Sequence, residues 1–231
     1  MCEQYVARAD EPFRIGELWG FTEKLEQFGI ASFGWGAAWL GEDGRIRSHR
    51  DVGSFRDDAV GRDLVGEQRT TALLVHLRRP SKLSTIGIPD TQPFDDPAGR
   101  YSFSHNGDLQ HHEDFRKAYR DQGRLKGKAD TEVSARWLED AWRDGHAAEP
   151  GPVLTSLHDT FGGLANLAVI TADGAVHHYA GNRDNPIFTF RLGPIRLAST
   201  ALYSADRSLF SLVAPAAEDR RLLPLRSTAT Y

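Results

Sequence analysis

Cys2 is the only cysteine in a chain of 231 residues, and it stands directly behind Met1. Loss of Met1 would place a thiol and a free α-amine on one residue. An α-amine has a reference pKa of about 7.7–8.0 and a thiol about 8.5, so such a residue carries base and nucleophile together near neutral pH. A lone cysteine also reads as a small buried hydrophobe, and position alone does not separate the two readings. With one cysteine, neither an intrachain disulfide nor a multi-cysteine zinc site is available.

Three further groups of residues can carry chemistry. In "VHLRRPS", Arg78 ends an apolar run, where a guanidinium can clamp a carboxylate through two parallel hydrogen bonds and the Ser81 hydroxyl can add a third. A solvated strand-end arginine is the plainer alternative. In "FSHNGDL", Asn106-Gly107 reads as a type I′ hairpin turn or as an oxyanion hole made from the Asn106 amide and the Gly107 N–H. In "ADTEV", Asp130 opens a helix, where it either caps the first turn or binds a substrate ammonium. His105, His111, His112, Glu113 and Asp114 crowd one stretch and His177-His178 another, but adjacent histidines point apart on a strand or helix and no His-Glu-x-x-His pattern occurs. No metal is expected.

The elements that must position these residues follow from periodicity. Leu18, Phe21, Leu25 and Phe28 repeat at helical spacing and Gly29 is expected to end that helix. "IASFGWGAAWLGEDGRIRSHR" reads as a hairpin through "EDGR", "TTALLVHLRR" as a buried strand, and "RYSFSHNGDL" as a strand running into an "HNGD" turn. The intervening "PSKLSTIGIPDTQPFDDPAG" carries four prolines and is expected to be mostly loop. "HHEDFRKAYRDQG", "DTEVSARWLEDAWRDG" and "GPVLTSLHDTFGG" read as helices; Trp137 and Trp142 on the second serve core or interface. "ANLAVI", "AVHHYAG", "PIFTFRL" and "IRLAST" read as paired strands, and "AAEPGP" as the one linker-like stretch. Strands flanking a helical middle predict an α+β fold with antiparallel sheets, in a single domain spanning 1–231.

A net charge of −4 leaves no footprint for nucleic acid, and "GRLKGK", broken by glycines, reads as a solvated loop. No apolar run is long enough to span a membrane, and charges at Glu3, Arg8, Asp10, Glu11 and Arg14 do not suit a signal peptide. A cytoplasmic protein is expected.

"MC", "HLR", "HNG" and "DTE", in this order and with these gaps, resemble the class II glutamine amidotransferases. "FGWGAAWL" is similar to that family's Gly-Trp-Gly strand and "RLASTALYS" to its late Ala-Ser-Glu segment, so the likeness spans nearly the whole chain. The resemblance implies an N-terminal-nucleophile hydrolase with a four-layer αββα sandwich of two mainly antiparallel sheets, and no cofactor. It implies Cys2 as nucleophile, Asn106 and Gly107 as the oxyanion pair, Arg78 as the holder of glutamine's α-carboxylate and Asp130 as the holder of its α-ammonium, with Gly107 also placing the substrate.

Departures from the pattern fall at the rim. Where the family often has Arg-Trp-Ala-Thr, this chain has Arg78-Arg79-Pro80-Ser81; Phe33 stands where an aspartate is common, and Thr200 where glutamate is. No synthase motif accompanies the glutaminase pattern. The expected function is hydrolysis of glutamine to glutamate and ammonia, with a separate synthase subunit as a candidate acceptor. A second reading is cleavage of a larger γ-glutamyl amide, as in the similar short amidohydrolase of ergothioneine biosynthesis, and a third is an inert regulatory subunit.

Overall fold

The computed structural model describes residues 2–143, 150–202 and 207–231. Met1, residues 147–149 of the linker-like stretch, the glycine expected to end the second middle helix, and the last two residues of "RLASTALYS" lie outside the described residues.

The chain opens with a long strand that its charged residues disguise, β1 (Glu3–Arg14). A turn of 3-10 helix leads into α1 (Trp19–Gly29), followed by the hairpin β2 (Trp35–Leu40) and β3 (Ile46–Asp51), then α2 (Ala59–Gly66) and β4 (Arg69–Leu77). Phe21 and Leu25 of α1 are buried as expected, but Phe28 is 41% exposed. The buried stripe of the last turns runs instead through Glu26 and Gly29, because the Glu26 carboxylate is drawn in to accept the Phe55 N–H at 2.6 Å and Arg56 Nε at 3.0 Å. The left-handed residue that closes the helix is Ile30, at φ 54°, rather than Gly29.

The proline-rich stretch holds two single 3-10 turns and the two-residue β5 (Phe94–Asp95) before β6 (Tyr101–Asp108). The helical middle is α3 (His112–Asp121), α4 (Asp130–Arg143) and α5 (Pro150–Phe161). The β-rich tail is β7 (Leu164–Thr171), β8 (Val176–Tyr179), β9 (Ile187–Leu192), β10 (Ile195–Thr200), the short α6 (Phe210–Val213), β11 (Glu218–Leu222) and β12 (Thr228–Thr230).

Two antiparallel sheets result, ordered β11-β9-β10-β1-β4-β2-β3 and β12-β8-β7-β6-β5. Strand alternation then sets the layers. On β1 and β4, Tyr5, Ala7, Leu73 and Val75 share a core with Phe21 and Leu25 of α1 and Phe210 of α6. On β6 and β7, Phe103 and Leu167 share another with Tyr119, Leu138 and Leu157 of α3, α4 and α5; Trp142 is buried in it and Trp137 packs against it, which settles both tryptophans as core residues. The opposite faces, with Val6, Leu74, Ala168 and Ile170, meet between the sheets. The order is therefore helix, sheet, sheet, helix, the αββα sandwich. No helix among the described residues is long and apolar enough to cross a membrane.

The inter-sheet layer turns polar toward the chain start. Gln4 Nε2 donates to the Asn166 carbonyl at 3.1 Å and meets His178 Nε2 at 3.0 Å, while Ser104 Oγ donates to Gln4 Oε1 at 2.8 Å. His178 Nδ1 lies 3.0 Å from the Ala198 carbonyl, which assigns the proton to Nδ1 and leaves Nε2 as acceptor for Gln4. Burial pushes His178 down to about 4 and, with Arg78 and His105 nearby, holds His76 well below its ordinary value. Both imidazoles are neutral in the fold, whereas an unfolded chain protonates them below about pH 6.5. Their contribution is complete above that pH and is lost as the pH falls below it, for His178 toward about 4. Urea midpoints should drop across this window, and His178→Gln should flatten the slope relative to wild type. Identical slopes would remove His178 from this role.

Candidate active site

The sheet register brings Cys2 and Arg78 together. Glu3 pairs with Leu77, so the residue before β1 and the residue after β4 leave the sheet side by side. The main chain of Arg78 is pinned, because Phe33 N–H donates to its carbonyl at 3.0 Å and its own N–H donates to Gly34 at 2.8 Å. Gly36 lets the next loop cross closely: a Cβ there would lie 2.2 Å from the Gln92 carbonyl oxygen. The Gln92 side chain in turn brackets the backbone of His105, accepting its N–H at 2.6 Å and donating to its carbonyl at 3.0 Å.

The Cys2 sulfur sits against Arg79, accepting its N–H at 3.3 Å and facing its carbonyl at 3.7 Å. Burial pushes the thiol up, and the Arg79 N–H bond and the positive charges of the amino terminus and Arg78 pull against it. The resting group is therefore a thiol that needs a base. Arg78 is 4% exposed; its Nη2 donates to Thr85 Oγ1 at 2.9 Å, and its buried Nη1 has no hydrogen-bond partner among the described residues. A desolvated guanidinium nitrogen of this kind is left for an anion. The hydroxyl it reaches is that of Thr85, while Ser81 lies exposed at the rim of the cavity.

Asn106-Gly107 forms no hairpin turn. Both residues lie inside β6, paired with Asn166 and Ala165 of β7. Gly107 has φ +153°, and a Cβ there would lie 1.7 Å from the Leu164 carbonyl oxygen, so only glycine fits. It faces the cavity; Asn106 is wholly buried beside it and is absent from the lining. The Asn106 amide donates to the Cys2 carbonyl oxygen, and its Oδ1 accepts from Asn166 Nδ2 at 3.0 Å and Asn182 Nδ2 at 3.4 Å. One of its two amide hydrogens is thus committed to the Cys2 main chain.

Asp130 opens α4 and also lines the cavity. Its Oδ2 accepts the Leu109 N–H at 2.9 Å and its Oδ1 the Thr131 N–H at 2.9 Å, so it is both a local cap and a cavity wall. The basic stretch read as a solvated loop is in fact built into that wall. Glu132 accepts the N–H groups of Lys126 and Gly127 at 2.8 and 2.7 Å, and buried Asp90 accepts those of Lys128 and Ala129, both at 2.6 Å. Arg124 pairs with Asp140 at 2.9 Å. Its glycines and charges look like solvation in a string of letters, because the carboxylates that organise them lie elsewhere in the chain.

Sequence reasoning missed Thr85, Asp90 and Gln92 and weighed His105 only as a metal ligand, although all four line the cavity, and it missed the support behind Asn106. Asn166 Nδ2 also donates to the Asn185 carbonyl at 2.6 Å, and Asn185 Nδ2 to Glu3 at 3.2 Å. The signal was "GNRDNP", a polar run whose Asn182 and Asn185 are almost fully buried. Thr200, in place of the glutamate common in the resembling family, donates to the Glu3 carboxylate and accepts the Gln4 N–H at 3.1 Å. The histidines are held singly: His105 by Thr131 and Leu164, His112 by Leu109, and His177 by Thr230. No three metal-ligating side chains converge among the described residues.

The same architecture occurs in solved structures. The chain matches the glutamine phosphoribosylpyrophosphate amidotransferase of B. subtilis with a TM-score of 0.71 at 15% identity, covering 100% of this chain and 49% of that one. It matches a glutamine aminotransferase class-II domain protein of Silicibacter pomeroyi (TM-score 0.61, 16% identity, 100% and 98% coverage) and a predicted glutamine amidotransferase of Pseudomonas aeruginosa (0.54, 16%, 100% and 97%). The chain thus spans about half the length of the B. subtilis enzyme. These likenesses show a shared fold, two antiparallel sheets between layers of helix. A family model described as "Glutamine amidotransferases class-II" matches residues 1–209, and the chain belongs to that family. No curated protein matches it.

Proposed function

We propose that this chain hydrolyses the γ-carboxamide of glutamine, through a thioester on Cys2, to glutamate and ammonia. The observation that carries the reading is that Cys2, Arg78 with its buried and unpartnered Nη1, Gly107 and Asp130 line one cavity. Once Met1 is removed, the Cys2 amine takes the thiol proton and sulfur attacks the γ-carbon. Negative charge gathers on the amide oxygen, opposite the Gly107 N–H and the second Asn106 hydrogen. The protonated amine returns its proton to the departing nitrogen, the C–N bond breaks, and water then displaces sulfur to give glutamate. Arg78 and Asp130 hold the α-carboxylate and α-ammonium and fix the approach. Ammonia so released would pass to a separate synthase subunit.

Labelling with a glutamine-like diazoketone, read by intact mass, tests this. The expected result is loss of Met1 and one adduct on Cys2; a retained Met1, or an equal adduct in Cys2→Ser, would sink the mechanism and favour an inert regulatory subunit. Arg78→Ala should raise KM for glutamine about tenfold or more, since it removes charge-assisted bonds made to substrate and transition state alike. An unchanged KM would take Arg78 out of carboxylate binding. A second reading, hydrolysis of a larger γ-glutamyl amide, is favoured by Arg79 and Pro80 at the rim.

A further inference from the structure

The wall nearest the sulfur carries a cation that the steps above leave unused. Arg79 holds Cys2 Sγ through its main-chain N–H at 3.3 Å, so it stands next to the atom that would attack a substrate amide. Its side chain is exposed and lines the cavity. Pro80 follows, and a residue before proline is biased toward extended backbone, which narrows the conformations open to Arg79. Lys82 and Lys128 line the same cavity and are also exposed. None of the three cations has an ion-pair partner among the described residues, which leaves all three for a ligand.

The lining acids offset them only in part: with Arg78 there are four cations against the three carboxylates of Asp90, Asp108 and Asp130. Asp90 is occupied by two N–H groups of the 126–129 segment and Asp130 by those of Leu109 and Thr131; Asp108, exposed at the end of β6, is the third. Arg78 and Asp130 match the two charges of an amino-acid end, so the remaining balance at the mouth is positive. Ammonia leaving from glutamine has no group to meet Arg79.

We infer that the substrate is a γ-glutamyl amide whose amine half carries an anion, a carboxylate above all, and that Arg79 is the residue that selects it. This rests on the second reading under Proposed function. The chemistry balances as before: sulfur bonds to the γ-carbon, the C–N bond breaks, the amino acid departs with the proton held by the Cys2 amine, and water releases glutamate.

The test compares kcat/KM for γ-glutamylglycine, the neutral γ-glutamyl methylamide and glutamine. Wild type should prefer γ-glutamylglycine over the methylamide by about fivefold or more, the yield of a partly exposed charge-assisted pair. Arg79→Gln should bring that ratio near one and Arg79→Lys should restore part of it. Independently of any variant, the wild-type ratio should fall as salt is raised, because an exposed pair is screened. A wild-type ratio near one, or one unchanged by Arg79→Gln and by salt, overturns the inference while leaving glutamine hydrolysis standing. No turnover of all three substrates, with no adduct on Cys2, overturns the proposed function itself.

Discussion

Cys2→Ala is expected to lower kcat for glutamine by about 10⁴-fold or more, the scale at which enzymes that form a covalent intermediate lose turnover when the nucleophile is removed. The side chain is small and only half-buried, so the thermal midpoint should stay within a few degrees of wild type and the loss can be read as chemical. The environment of the sulfur sharpens the prediction. Burial raises the thiol's pKa, so thiolate is scarce at neutral pH and a base must be supplied in the reaction itself. Each histidine near the cavity mouth is already engaged with a protein partner, His105 with Thr131 and Leu164 and His112 with Leu109, which leaves the α-amine that removal of Met1 would expose. The amine acts as base only when unprotonated, so kcat/KM should climb with pH across the amine's range, about 7.7–8.0 in an unperturbed peptide. A Cys2→Ala variant within tenfold of wild type, or a preparation that keeps Met1 and turns over at full rate, would refute the assignment.

The buried strand "TTALLVHL" was legible as a short continuous apolar run, and the middle helices by apolar residues recurring at a 3.6-residue period, as in "DTEVSARWLEDAW". β1 was not, although it follows directly on Cys2 and lies near the centre of its sheet. It is buried on both faces: Tyr5 and Ala7 face helices, while Gln4 faces the polar layer between the sheets, so no alternation of apolar and polar letters survives. The short edge strands β11 and β12 and the one-turn α6 were missed for another reason, since elements that brief carry no period at all. Among the candidate site residues, Cys2, Arg78, Gly107 and Asp130 were found by order and spacing, and the structure puts them on one cavity. Asn106-Gly107 was ambiguous because the dipeptide that favours a tight turn also suits a strand where glycine must take a positive φ and let a neighbouring carbonyl in. What no local pattern could supply is long-range polar support, such as Asp90 holding Lys128 and Ala129, or Asn182 reaching Asn106 across 76 positions.

That support makes Asn106→Ala the second large effect: kcat should fall by about 10²- to 10³-fold, with KM for glutamine little changed. In the resting state Asn106 already spends one amide hydrogen on the Cys2 carbonyl, and its Oδ1 is held by Asn166 and Asn182, so the group is fixed before substrate arrives. Its remaining hydrogen gains most when the amide oxygen becomes an oxyanion, and an interaction made in the transition state alone lowers kcat when removed. Truncation also strips Asn166 and Asn182 of a buried partner, at a stability cost of about 1–3 kcal/mol, so folding of the variant must be verified by its thermal midpoint. Asn166→Ala separates direct from positioning effects. It leaves the Asn106 amide in place but frees its Oδ1, and should reduce kcat by less than Asn106→Ala, again at nearly constant KM. If Asn106→Ala raises KM while kcat holds, the residue binds the ground-state amide and the oxyanion assignment falls to Gly107 alone.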